Sequence, residues 1–341
     1  ISFMATIKDV ADDSGLSIST VSAVLNGADW VPEATRERVL ASIETVRYVP
    51  NTLARGLKTR RTNAVGVIVT DLTNPFFTEI VRALERTLRK QDHNVFLCNS
   101  DHETINGRKN FGALLERRVD GIIIIGSSVP EDLVAQYTEA DDHVPIVSVE
   151  RNYSARGVTR LMVDSEEGGF VATQHLLERG YQRIALIEGA DRGAESRTHR
   201  RRGYERALAY AGLSAPASYF ARGDFRFEGG RDAMNGLLDL PEPPDAVFAS
   251  NDLMALGALR AARERGIRVP EDLGVVGYDD IPAAGFVNPP LTTIAVPKAE
   301  LGRSAGELIL DQIDQGREYA SSMQVFGAEL VVRASSAGPA S

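Results

Sequence analysis

TIKDVADDSGLSISTVSAVLNG, residues 6–27, reads as two short helices joined at Gly15. Ile7, Val10 and Ala11 recur at helical spacing, Ser14-Gly15-Leu16 interrupts the run, and Ser17 is placed to cap a second helix through Ser22 to Asn26. Gly15 suits the positive φ of a sharp helix-to-helix turn, and Ala11 is small enough to let the second helix cross close over the first. This is the layout of a helix-turn-helix, whose second helix enters a DNA major groove. Ordinary helical hairpins share the glycine turn, so the residues downstream decide between the two. A third amphipathic helix is expected from Pro32 to Val46, with Pro32 near its first turn and Val39, Ile43 and Val46 on one face. Then comes NTLARGLKTRRTN, residues 51–63, short, basic and poor in core residues.

A chain of 341 residues with 43% hydrophobic content is expected to fold into two or three lobes. It has no apolar run of about 18 residues and no basic-then-apolar leader, so export and membrane insertion are not expected and a cytoplasmic location is. Ile1-Ser2-Phe3 ahead of Met4 reads as added sequence. A lone cysteine, Cys98 in the apolar run VFLC, excludes a disulfide framework and a cysteine-based zinc finger, and reads as a small buried hydrophobe. The net charge of −9 argues at first sight against nucleic acid. The basic residues of the first 62 positions are concentrated, however: four of eight fall between Arg55 and Arg61. A basic stretch on an acidic body directs phosphate contact to the head. Arg60 and Arg61 are equally readable as a solvated linker.

From Ala64 onward apolar runs alternate with helical stretches: AVGVIV, Pro75 to Lys90, VFLCN, Asn106 to Arg117, GIIIIG, Glu131 to Ala140 and PIVSV. A second set begins at RLMVD and continues through RIALIEG, AVFAS and LGVVGY. Such alternation implies βαβ units and parallel sheets buried on both faces, here two doubly wound α/β lobes behind an all-α head. A ligand would sit where the strand carboxyl ends of the lobes face each other. A small polyol needs paired hydrogen-bonding groups and a flat apolar surface. Asp279, after LGVVGY, and Asn251-Asp252, after AVFAS, stand at such strand ends, although Asn251 or Asp252 also suits a helix cap.

Several separated motifs in one order strongly resemble the lactose-repressor (LacI/GalR) family of bacterial transcription regulators. They are TIKDVA, TVSAVLNG, YVPN with LARGLK at 48–58, VGVIVTDLTNPFF ending at Phe77, VDGIIIIG at 119–126, VFASNDLMALGAL at 247–259, VPEDLGVVGYDDI at 269–281 and PPLTTIAVPKAELG at 289–302. The resemblance implies a periplasmic-binding-protein-like core and a homodimer packed through the first lobe. Its partners would be a palindromic double-stranded operator and a small-molecule effector, a sugar being the expected class. Neither a cofactor nor a metal is expected. The implied division is 4–49 for the DNA-binding head, 50–62 for a hinge helix and linker, 63–161 with 294–324 for the first lobe, and 162–293 with 325–335 for the second. The strand TTIAV near 292–296 and the helix Lys298 to Gln315 resemble the segment that returns to the first lobe.

Positions matching Phe77, Ser196, Arg200, Phe225, Asn251 and Asp279 line the family's effector pocket, and Asn74 and Phe76 join them as candidates. Arg200 lies in RTHRRR, which also reads as a solvated face, and Phe76 or Phe77 also reads as core. Val296 stands where many members have glutamine, which suggests a ligand with one fewer polar group at that wall. On the second helix the family's base-contacting positions match Ile18, Ser19 and Ala23, weak hydrogen-bond formers that favour modest direct readout. Thr6, Ser17, Thr20, Ser22 and Asn26 suit positioning on the DNA, chiefly phosphate contact. The family's hinge helix matches Asn51 to Lys58, with Ala54, Arg55 and Lys58 at the minor groove and Leu57 as a wedge that kinks the duplex. Gly56 weakens so short a helix, which is expected to order only on DNA.

Two other classes compete. Residues 64–333 alone fit a periplasmic sugar-binding protein, a reading the head disfavours. An enzyme is disfavoured because HExxH, P-loop and CxxC spacings are missing and the first βα turn reads DLTNPFF in place of GxGxxG. His93, His102, His143, His175 and His199 read as surface or packing residues. A regulator that has lost its ligand response is a third possibility. The tail RASSAGPAS has no leucine heptad, so a coiled-coil tetramer is not expected.

Overall fold

The computed structural model describes residues 5–25, 27–48, 61–126, 129–140, 143–189, 195–316 and 321–339, the side chains of 195–198 excepted. The chain divides into two units, Ile1–Thr62 and Asn63–Ser341.

The first unit holds α1 (Ile7–Ser14), α2 (Ile18–Leu25) and α3 (Glu33–Val46). Thr6 caps α1 through a capping box: its hydroxyl accepts from the Asp9 amide, and the Asp9 carboxylate accepts from the Thr6 amide at 2.6 Å. Gly15 ends the helix at φ 63, ψ 30, the left-handed geometry that a glycine adopts without strain. Ser17 Oγ then accepts from the Thr20 amide at 3.1 Å, which starts α2 at Ile18. Helix α3 begins at Glu33, with Pro32 in the cap position. Val10, Ala11, Val21, Val24, Val31 and Val39 form the small core. The Ser42 hydroxyl ties α3 to α1 by donating to Val10 O at 3.1 Å and to the Asp13 carboxylate at 2.6 Å.

In the second unit the first sheet is built from β1 (Ala64–Val69), β2 (Asn94–Asn99), β3 (Gly121–Ile125), β4 (Ile146–Val149), β5 (Val158–Val163) and β11 (Met323–Phe326). Its spatial order is β11-β5-β4-β3-β1-β2, with every pairing parallel. Runs such as GIIII are buried throughout because helices cover both faces: α4 (Pro75–Arg89), α5 (Thr104–Glu116), α6 (Glu131–Thr138) and α11 (Lys298–Gln315). The second sheet combines β6 (Ile184–Glu188), β7 (Phe220–Arg222), β8 (Ala246–Ala249), β9 (Gly274–Asp279), β10 (Thr292–Ala295) and β12 (Glu329–Val331) in the order β12-β10-β9-β8-β6-β7. All its pairings are parallel except β10–β12. Its helices are α7 (Ser165–Glu178), α8 (Glu195–Tyr210), α9 (Phe227–Leu238) and α10 (Asp252–Glu264).

TTIAV corrects the sequence reading. Thr292 to Ala295 pair with Val276 to Asp279 of β9, so this strand stays in the second sheet and the chain returns to the first lobe only at Val296-Pro297. RLMVD, expected to open the second set, instead supplies β5 of the first sheet, and Val325 and Phe326, also expected in the second lobe, pair there with Met162 and Val163. An apolar strand pattern is the same whichever sheet receives it; only the pairing register assigns it.

Helix α11 lies tight on α4, and a Cβ on Gly302 would stand 2.2 Å from Ile80 O and 2.8 Å from Ala83 Cβ. Gly302→Val must push two helix backbones apart, an overpacking expected to cost about 3 kcal/mol. Urea denaturation measures this; a variant as stable as the parent would contradict the close contact.

Candidate functional site

In each sheet the chain doubles back between two neighbouring strands, β1 and β3 in the first and β6 and β8 in the second. A crevice opens beyond the carboxyl ends of strands at such switch points. Loops from both lobes converge there on a cavity open to solvent at its mouth. The first lobe contributes Thr70, Asn74, Phe76 and Phe77 after β1, His102 after β2, Gly126 after β3 and Glu150 after β4. The second contributes Arg200 from α8, Phe225 after β7, Asn251 after β8 and Asp279 at the end of β9.

Arg200 is the electrostatic centre. It is 6% exposed, its guanidinium carbon sits 4.0 Å from the centroid of the Tyr278 ring, and Nη1 donates to Ser250 O at 2.9 Å. Nη2 lies 3.9 Å from the Glu150 carboxylate of the opposite lobe. Burial raises the Glu150 carboxyl against the opposing pull of Arg200 and of the Val163 amide, which donates to it at 2.7 Å. Burial likewise holds Asp279 well above the usual carboxylate range, with Arg200 opposing and Asp252 adding to the shift. Asp252 is pushed up to about 7 by burial, although the Thr293 hydroxyl and the Ile281 amide donate to it at 2.5 and 2.8 Å.

These carboxyls hold protons in the folded state at pH values where the unfolded chain has released them, so stability falls as pH rises above the ordinary carboxylate range, through about 7 for Asp252. Carboxyls shifted the other way, such as Asp272 at about 2 beside Arg268, act only below that range, while His175, lowered by burial, opposes the trend with a single group against three. The second unit is therefore expected to resist urea better at about pH 5.5 than at about pH 8; the reverse order would contradict the assignment.

Seven of the eight expected effector residues meet in the cavity: Asn74, Phe76, Phe77, Arg200, Phe225, Asn251 and Asp279. The Ser196 side chain lies outside the described residues. Asn251 is engaged at both ends, however. Its Oδ1 caps α10 by accepting from Met254 N at 2.9 Å, and its Nδ2 donates to Phe225 O at 2.9 Å. That second bond holds the aromatic wall at φ 67, a left-handed geometry that Phe225 would not adopt unaided. Asn74 similarly caps α4 through Phe76 N at 3.0 Å. Phe76 belongs to the core as well as to the lining and packs edge-on to Phe77, 5.1 Å between centroids. Val296 is core, outside the lining set, so its apolar character does not mark a cavity wall.

Thr70, His102, Gly126 and Glu150 escape sequence reasoning. The strand-end rule that finds Asp279 applies equally to Thr70, Gly126 and Glu150, which come directly after β1, β3 and β4. His102, expected at the surface or in packing, instead lines the cavity and faces the Phe225 ring at 6.3 Å with an interplanar angle of 5°. Arg226 and Asp101 bridge the same mouth at 2.8 Å.

On the head, Thr6, Ser17, Ile18 and Ser19 are exposed, and Thr20, Ser22 and Ala23 are half-buried. Ser17 Oγ is shared with the hydroxyls of Ser19 at 2.7 Å and Thr20 at 2.8 Å, so it serves the helix start first. Asn26 and the hinge candidates Asn51, Ala54, Arg55, Leu57 and Lys58 lie outside the described residues. Among the described residues no set of three His, Cys, Asp or Glu side chains could hold a metal ion, and no helix is long and apolar enough to cross a membrane.

A helix-turn-helix unit joined to a two-lobed core with a polar and aromatic cleft defines a DNA-binding regulator with an effector-binding domain. Residues 6–51 match the model of bacterial regulatory proteins of the lacI family, and residues 62–330 that of periplasmic binding proteins and the sugar binding domain of the LacI family. The chain belongs to the LacI family and is a DNA-binding transcriptional repressor. It is 38% identical over 331 residues to the HTH-type transcriptional repressor CytR of Escherichia coli strain K12, covering 97% of this chain and 96% of the relative. Among solved structures it resembles the complex of the transcriptional regulator CelR with cellobiose at 35% identity and TM-score 0.72, over 97% of this chain and 99% of that one. It also resembles the lac repressor dimer bound to operator and the anti-inducer ONPF at 29% identity and TM-score 0.85, over 98% and 99%.

Proposed function

We propose that the protein acts in the cytoplasm as a homodimeric repressor of carbohydrate-utilisation genes, controlled by a sugar bound between its lobes. The observation that carries this reading is the juxtaposition of Arg200 and Asp279, both buried, with Phe76, Phe77 and Phe225 around one cavity. A guanidinium and a carboxyl grip vicinal hydroxyls, and an aromatic face covers the C–H side of a sugar ring. Arg200 Nε is buried with no acceptor among the described residues, and a bound hydroxyl would supply one. The sugar bound by CelR and the dimer and operator of the lac repressor support the same reading.

Two heads of a dimer meet the two halves of a palindrome. Effector binding rotates one lobe on the other, alters the spacing of the paired hinges around Leu57, and changes operator affinity by a coupling of about 1–3 kcal/mol. Weak base-edge chemistry at Ile18, Ser19 and Ala23 leaves much of the specificity to deformation of the central step. Gel shift on the gene's own upstream DNA, with and without a panel of pentoses, hexoses and disaccharides, tests the reading. One sugar is expected to change the retarded fraction; binding indifferent to every sugar, or equal on bulk competitor DNA, would reject it.

A further inference from the structure

The turn that presents Asp279 to the cleft has an unfavourable backbone. Asp279 at φ 112 and Asp280 at φ 52 stand side by side in the left-handed half of conformational space. Residues with side chains persist there only where their surroundings fix them several times over. Three fastenings come from the second lobe. Arg333 Nη2 donates to the Asp280 carboxylate at 2.8 Å, the Asp280 amide approaches Thr293 Oγ1 at 3.4 Å, and the Ile281 amide donates to Asp252 at 2.8 Å. The fourth comes from elsewhere. Lys298 Nζ donates to the carbonyl of Asp279 and, at 2.8 Å, to that of Asp280. Lys298 is 7% exposed and is the first residue of α11, the helix that packs on α4 in the first lobe. Its ammonium also lies 3.9 Å from the carboxylate of Glu79 on α4, two residues beyond Phe77 of the cavity wall.

We propose that Lys298 is a positioning residue of the effector site: its ammonium fixes the Asp279-Asp280 turn so that the Asp279 carboxyl meets the effector, and ties that turn to the helix pair of the opposite lobe. The inference rests on the cleft being the effector site. A lysine suits the task because three donors on one compact head can serve two carbonyls and an acid together. An apolar side chain of similar length would leave both carbonyls without that donor. A bound hydroxyl that pulls on Asp279 then pulls on the start of α11, directly after the crossover at Val296-Pro297.

Full-length wild type, Lys298→Met, Lys298→Arg and Asp279→Asn are compared first by amide hydrogen exchange without ligand. In Lys298→Met the amides of Asp280 and Ile281 should exchange at least tenfold faster, while Val275 and Val276 within β9 stay at wild-type rates and Lys298→Arg restores protection. Unchanged exchange at Asp280 and Ile281, or loss of protection throughout β9, overturns the proposal. Calorimetric titration with ribose and with cellobiose comes second. Whichever sugar binds wild type should bind Lys298→Met and Asp279→Asn at least tenfold more weakly, with Lys298→Arg near wild type. Weakening in Asp279→Asn alone defeats the positioning role. Weakening in neither defeats the reading of the cleft itself. If neither sugar binds wild type, the exchange result alone decides the role of Lys298.

Discussion

Arg200→Met is expected to remove the sugar response and to destabilise the second unit by about 3–5 kcal/mol at neutral pH, the usual cost of breaking a buried ion pair from one side. The loss arises from what Arg200 leaves behind: Glu150 3.9 Å away across the cleft and Asp279 beside it, both buried carboxyls whose charged forms it stabilises. Both are already raised, so acidification neutralises them, and a large part of the lost stability should return at about pH 5. The sign is specific. Were Arg200 mainly a packing element over the Tyr278 ring, the deficit would be the same at pH 5 and pH 8. Urea denaturation of both proteins at the two pH values separates the alternatives.

Val21→Asp should have the opposite distribution of effects. Val21 is fully buried at the centre of a core of six small apolar side chains. A unit this small has little stability to lose, and a carboxylate there has no partner. Operator affinity is expected to fall at least a hundredfold, while sugar affinity and the melting of the second unit remain those of the parent, because the chain divides after Thr62. Calorimetry on the variant reads both. A sugar site lost together with DNA binding would show that the two units are not separately stable.

The range of each interaction governs how much of it the sequence discloses. The head is local: Thr6, Gly15 and Ser17 act within four residues of themselves, and their capping and turn geometry match the chemistry of their side chains. Asp279 is legible because a carboxylate ending an apolar strand has no structural excuse, and the cavity gives it a place. Glu150 stands at an equivalent strand end, but its meaning depends on Arg200, 50 positions away and in the other lobe. His102 gains its place only when the two lobes face each other and bring Phe225 opposite. Asn251 carries both of its sequence readings at once, in the cavity lining and at a helix cap. A polar residue at that strand end reads equally as a ligand clamp and as a cap, and its Oδ1 caps α10 while its Nδ2 holds Phe225 at the cavity wall. TTIAV and Val325-Phe326 mislead for the same reason of range, since lobe membership is a matter of pairing and leaves no mark on the strand's own pattern.

The central claim is that one molecule links a sugar in the cleft to an operator at the head, and linkage is reciprocal. The most direct test measures the affinity of the effective sugar for free protein and for protein saturated with labelled operator, alongside operator affinity with and without that sugar. The two ratios should agree, each differing from one by about 5- to 150-fold. A sugar that binds equally to free and operator-bound protein would contradict the account, however tightly it bound.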